Sequence, residues 1–106
     1  MLTLMDLRES FRGPFLEMAW QRHGRIAELV SRGEMAEIRS AASELHCLSG
    51  EASMLDFGDV ADIARHAEEA ARTGDHARLV KLVTDLRAAI KVVEGEGNAK
   101  VEESKR

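Results

Sequence analysis

EMAEIRSAASELHCLSGEASML, residues 34–55, is the stretch on which the fold turns. Ile38, Ala41, Leu45, Leu48, Ala52 and Leu55 recur at alternating spacings of three and four. Such a pattern lines one side of a helix with a heptad-like apolar stripe. A stripe of this kind needs apolar partners, and the flanking segments supply them. Upstream, Phe15 to Arg32 reads as a helix with Phe15, Ala19, Ile26, Leu29 and Val30 near one face, and Gly33 as its C-cap. Gly24 inside it is tolerated at about 1 kcal/mol relative to Ala. Gly13-Pro14 predicts a break, because proline suits the first position of a new helix. Leu2 to Phe11, with Leu4, Leu7 and Phe11, is then a short helix of its own. Downstream, Asp56-Phe57-Gly58 interrupts the pattern. Asp59 to Thr73 follows, with Val60, Ile63, Ala64, Ala67 and Ala71 turned inward. Gly74 ends it and Asp75 is the next N-cap. The last helix carries Leu79, Leu82, Val83, Leu86, Ile90 and Val93. The prediction is an all-α, antiparallel up-and-down four-helix bundle with a short N-terminal capping helix. It occupies residues 1–94, and the polar run at 95–106 is expected to be a flexible tail.

Composition agrees. The chain has 106 residues, 44% hydrophobic, with one proline and no tyrosine. That is one small domain with enough apolar content for a core. A net charge of −4 gives no basic footprint for nucleic acid. A single cysteine cannot form an internal disulfide, and a lone thiol suits a reducing compartment. No apolar run is long enough to span a bilayer, and the first residues do not read as a signal peptide. A cytoplasmic setting is expected, with no nucleic acid and no membrane as partner.

The residue of interest lies off the stripe. His46 falls roughly 120° from the stripe's centre and is predicted to face solvent. Arg39, Ala42 and Ser43 precede it on that face; Ser49, Gly50 and Ser53 follow. Apart from Arg39 these are small, where an exposed helix surface normally carries long charged side chains. Gly50 costs about 1 kcal/mol against alanine in a helix, and glycine suits a place where another molecule approaches closely. A neutral imidazole nitrogen is a competent nucleophile near pH 7. An uncrowded histidine on a rigid helix can therefore accept a group from one protein and pass it to another. The bland alternative is an idle surface histidine.

The segment His46-Cys47-Leu48-Ser49-Gly50-Glu51-Ala52-Ser53-Met54-Leu55 resembles the signature of histidine-containing phosphotransfer (HPt) domains. That signature runs His-x-Leu-Lys-Gly-x-Ala/Ser, then an apolar residue near a second glycine. His46, Leu48, Gly50, Ala52 and Leu55 match it. The Gly33 break, the Ala41-Ala42 pair and the helix end at Gly74 follow the family layout, over roughly residues 10 to 93. The resemblance implies that His46 carries a phosphoryl group on Nε2. The group would come from a sensor histidine kinase or a phosphorylated receiver, and pass to a response-regulator receiver aspartate. Mg²⁺ would sit in the receiver and ATP in the kinase, so this chain needs no cofactor or metal and has no autonomous ATP-dependent activity. Arg39, Ala42, Ser43, Ser49, Gly50 and Ser53 would form the docking face and phosphate environment. Two positions depart from the pattern. Ser49 stands where the family usually has lysine, with Glu51 close by and Arg39 a candidate compensator. Asp56 stands in place of the second glycine, with Gly58 two residues later.

Other candidates read more blandly. Asp62, His66 and Glu69 have helical metal-ligand spacing, but no second pair aligns with them, so a solvated face is expected. His23 lacks such partners, and His76 belongs to a helix start. Cys47 and His46 point about 100° apart, which argues against a Cys-His nucleophile pair; a partly buried thiol is expected. Trp20 and the methionines are expected in the core, Arg22 and Arg25 on a solvated face. Two alternatives stand beside the phosphocarrier. One is a non-phosphorylated pseudo-HPt module that docks a kinase or receiver, supported by Ser49. The other is an unrelated helical adaptor or dimerising segment. A monomer is expected, since the stripe of residues 34–55 is matched by the other helices within one chain.

Overall fold

The computed structural model describes the backbone of residues 3–104 and the side chains of residues 3–96. Among them are four helices and no strand: α1 Leu4–Arg32, α2 Met35–Met54, α3 Gly58–Thr73 and α4 His76–Ser104. α1 packs on α2 and α4, α2 on α3, and α3 on α4, which closes a ring of helices. The stripe of the 34–55 segment lies inside this ring. Leu45, Leu48, Ala41 and Ala52 are fully buried, against Ile26 and Val30 of α1, Val60 and Ala64 of α3, and Leu86 and Ile90 of α4.

The expected break at Gly13-Pro14 does not occur, so there is no separate capping helix. α1 runs through Pro14 without interruption. Proline removes one hydrogen bond to the carbonyl four residues earlier. Pro14 is exposed, so the freed carbonyl's side of the helix faces water. Other contacts hold the first turns in line. Thr3 and Asp6 form a capping box. Arg8 lies 4.6 Å over the Phe57 ring and 3.6 Å from Glu96 of α4, and Phe57 stacks on Phe15 with centroids 4.8 Å apart.

α4 is also longer than expected. The polar run after Glu94 is helical to Ser104, while Lys105 and Arg106 lie outside the described residues. Alanine, lysine and glutamate in this run are good helix formers. The Trp20 indole N–H donates to Glu94 Oε2 at 2.8 Å, so the packed part of α4 reaches beyond Val93. Trp20 is half-buried rather than a core residue, and Met5, Met35 and Met54 are largely exposed.

The helix ends follow the sequence closely. Gly33 and Gly74 adopt left-handed φ values of 70° and 78°. Asp75 Oδ1 accepts from the Arg78 N–H, which makes it the N-cap of α4. At the end of α2, Asp56 N–H bonds Ser53 O and Phe57 N–H bonds Ala52 O, the two bonds of a Schellman motif. Asp56 sits at its left-handed position with φ 61°. Glycine is the cheapest residue there, and aspartate is among the few others that tolerate it. The position where the signature carries its second glycine is thus a backbone requirement that aspartate meets.

Candidate functional site

α2 and α3 meet through small side chains: Ala41, Ala42 and Leu45 from one, Ala61, Ala64, Ala67 and Ala70 from the other, all buried. Alanines at a helix contact allow close approach. That brings Glu68 of α3 to His46 of α2. The His46 side chain is 72% exposed, and its Nδ1 lies 3.2 Å from Glu68 Oε1. A carboxylate only accepts, so Nδ1 carries the hydrogen and donates it. In the neutral ring Nε2 then holds the lone pair, on a side chain that is largely exposed. Glu68 is itself fixed, since Arg72 donates to its Oε2 through Nε at 2.9 Å and lies 2.8 Å away through its terminal nitrogen. The Glu68 side chain is only 14% exposed, which confines it to this bridging position.

The bond to Glu68 favours the neutral tautomer in which Nε2 carries no hydrogen. Glu68 and Arg72 were not singled out from the sequence. Their signal was an i,i+4 acid–base pair at the edge of the α3 alanine stripe, which by itself looks like any exposed helix pair.

The expected neighbours of His46 divide into three groups. Ser43, Gly50 and Ser53 are exposed beside it, as predicted. A Cβ added at Gly50 would meet nothing within 4 Å, so this glycine is not required by any contact within the chain. Ala42 is a correction: it is 2% exposed and belongs to the α2–α3 contact rather than the docking face. Its place near the edge of the stripe puts it under α3. Ser49 and Arg39 are exposed or half-exposed but point elsewhere. The Ser49 hydroxyl donates to the His46 carbonyl at 2.8 Å, and an Arg39 terminal nitrogen lies 3.5 Å from Met35 Sδ, about three turns back from His46. Neither replaces the missing lysine at the imidazole; the guanidinium nearest in the bonding chain is Arg72.

The α1 side of α2 carries a second polar cluster. Glu44 pairs with Arg22 at 2.8 Å and Arg25 at 3.1 Å, while Glu51 lies 2.9 Å from Arg22. Hydrogen bonding from Arg25, and then from Arg22, holds the Glu44 carboxyl below its usual range despite partial burial. Burial works against the Arg22 charge, yet Glu44 and Glu51 outweigh it and hold the guanidinium above its ordinary value. Arg22 is therefore a half-buried tie between α1 and α2, not part of a solvated face. Its pairing turns Glu51 towards α1 and offsets the negative charge expected near His46. Cys47 is exposed rather than partly buried. Asp62 pairs with Arg65, and His66 is exposed. His23 Nε2 lies 2.9 Å from the Val83 carbonyl, a tie between α1 and α4.

Two turns beyond His46 the surface becomes apolar. Met54 is 80% exposed and, with Phe11, Pro14, Met18 and Leu55, lines a groove of about 270 Å³. No helix among the described residues is long and apolar enough to cross a membrane. Comparison with known proteins adds one finding. A family model described as the Hpt domain matches residues 10–96, which takes in the packed part of all four helices and the His46–Glu68 pair. Searches of curated proteins and of solved structures returned no match.

Proposed function

The chain belongs to the Hpt domain family, and on that premise we propose that His46 is the phosphoacceptor of a phosphorelay. A phosphotransfer role in two-component signalling, with kinases and receiver domains as the interacting class, comes with the family. The finer reading concerns this chain's own residues. It is carried by one observation: an exposed imidazole whose Nδ1–H is tied to Glu68, leaving Nε2 free.

In the forward step the Nε2 lone pair attacks phosphorus on the donor. An N–P bond forms as the donor's bond to phosphorus breaks, either the acyl phosphate P–O bond of a receiver or the P–N bond of a kinase phosphohistidine. The leaving group departs with the electron pair. The Nδ1 hydrogen stays in place, so the ring gains positive charge, which Glu68 stabilises from the side opposite the phosphoryl group. The reverse step delivers the group to a receiver aspartate. Little covalent help is needed, since transfer of this kind depends chiefly on positioning and charge stabilisation. Gly50, Ser43 and Ser53 leave room for the partner around Nε2, and the exposed Met54 groove offers it an apolar foothold.

The same reading places the carrier in the cytoplasm as a monomer that requires no cofactor. Its helices take an antiparallel up-and-down order, supported by three short connections between consecutive helices and by the neighbour contacts that close the ring. Ser49 supports a second reading, a docking module that keeps the fold without the chemistry. The experiment is phosphoryl transfer from a panel of ³²P-labelled kinases and receivers to the wild type and to His46→Gln. Acid-labile label on the wild type alone supports the carrier. No label on either, with partner binding retained by both, supports the docking module.

A further inference from the structure

A cleft of about 870 Å³ opens between the first half of α2, the end of α3 and the start of α4. That lies within the range of small-molecule sites, roughly 300–1,000 Å³. Ile38 and Leu79 contribute apolar surface, and Met35, 71% exposed, stands at its edge. Arg39 and Arg72 supply positive charge, and His76 a ring nitrogen. The chain has 19 acidic residues, yet none of those described lines this cleft. Arg39 makes no ion pair among the described residues; its guanidinium lies against the Met35 thioether, a weak acceptor that leaves its donors largely unsatisfied. Apolar walls beside the Arg39 guanidinium, which has no carboxylate partner among the described residues, complement a ligand that has an apolar body and an anionic head.

Arg72 gives the cleft a connection to the phosphoacceptor. Arg72, one of the residues lining the cleft, clamps Glu68 Oε2 with its guanidinium, and Glu68 Oε1 accepts from His46. An anion in the cleft competes with Glu68 for that guanidinium. We infer that the cleft binds a small amphipathic anion, and that its occupancy is transmitted through Arg72 and Glu68 to the imidazole of His46. The binding is independent of phosphorylation; its meaning as regulation rests on the phosphocarrier reading.

The test uses the full, unphosphorylated chain, so a failure of phosphotransfer cannot be mistaken for its failure. Octanoate is titrated while amide, arginine Nε–H and imidazole resonances are followed by NMR, with octanamide as the uncharged control. The expected result is saturable shifts at Arg39, His76 and Thr73, which also lines the cleft. Octanamide, and octanoate with Arg39→Gln, bind about threefold to tenfold more weakly. Arg72 Nε–H and His46 Nδ1 move together in the wild type. In Glu68→Gln the cleft shifts persist while the His46 response is lost. Shifts that do not saturate, equal affinity for octanamide, or shifts centred on Phe11 and Met54 overturn the site. A saturated cleft with His46 unmoved overturns the coupling.

Discussion

Gly50→Ala separates the demands of the fold from those of the function. Gly50 lies inside α2, four residues from its end, with helical backbone and no neighbouring group within 4 Å of the place an alanine methyl would take. Alanine therefore meets no clash and removes backbone freedom from the unfolded chain, which stabilises a helix by about 0.5–1 kcal/mol. For a domain of this size that is a rise of roughly 4–8 °C in melting temperature per kcal/mol. The same methyl group stands one turn from His46 and about 40° around the helix. It occupies space the partner needs to bring phosphorus onto Nε2. Small misplacements at a reacting centre are costly, so transfer is expected to fall by between about tenfold and a hundredfold. The assay pairs thermal denaturation by circular dichroism with single-turnover transfer from a labelled receiver. A variant that is more stable and slower bears out the reasoning. A destabilised variant refutes the reading of the local geometry. Unchanged transfer shows that Gly50 is not part of the approach surface.

Glu68→Ala is expected to slow transfer about tenfold or more, the cost of a lost hydrogen bond to a charged group, and to mix the His46 tautomers in ¹⁵N spectra. Glu68→Gln, which still offers an acceptor, should recover much of the tautomer preference. Asp56→Gly relieves a non-glycine residue at φ 61° and is expected to raise stability by about 0.5–1 kcal/mol in urea denaturation. The depressed Glu44 carboxyl contributes stability above its unfolded-state value, near 4.5, which is lost as pH falls through the lower folded-state value. Urea midpoints measured from pH 6 down to pH 3 should therefore fall less steeply for Glu44→Gln than for the wild type.

The bundle was legible in the sequence because its information is local. Helical spacing fixed the buried faces; Gly33 and Gly74 marked helix ends through left-handed backbone geometry, and Asp75 marked a helix start through its side-chain cap. Pro14 misled because its effect is local while the forces that override it are not: Arg8 reaches Phe57 and Glu96, 49 and 88 positions away in sequence. His46 could be found from the absence of large neighbours along one helix. Glu68 could not, because its role depends on how closely two alanine faces pack. Ala42 was misplaced for the same reason, since its burial is decided by α3 and not by its position on α2. Arg22 looked like a solvent-facing charge until α2 brought Glu44 and Glu51 against it, while Arg25 reaches Glu44 and stays exposed as expected.

The central claim is that His46 accepts phosphate on Nε2 although Ser49 stands in place of lysine. The most direct measurement is ³¹P–¹⁵N correlation NMR on uniformly ¹⁵N-labelled protein after phosphorylation by a cognate receiver or kinase. The account predicts one phosphoryl group per chain, bonded to Nε2 of His46, with the hydrogen retained on Nδ1. Phosphate on Nδ1, or no phosphohistidine while the same donors still bind the protein, would contradict it.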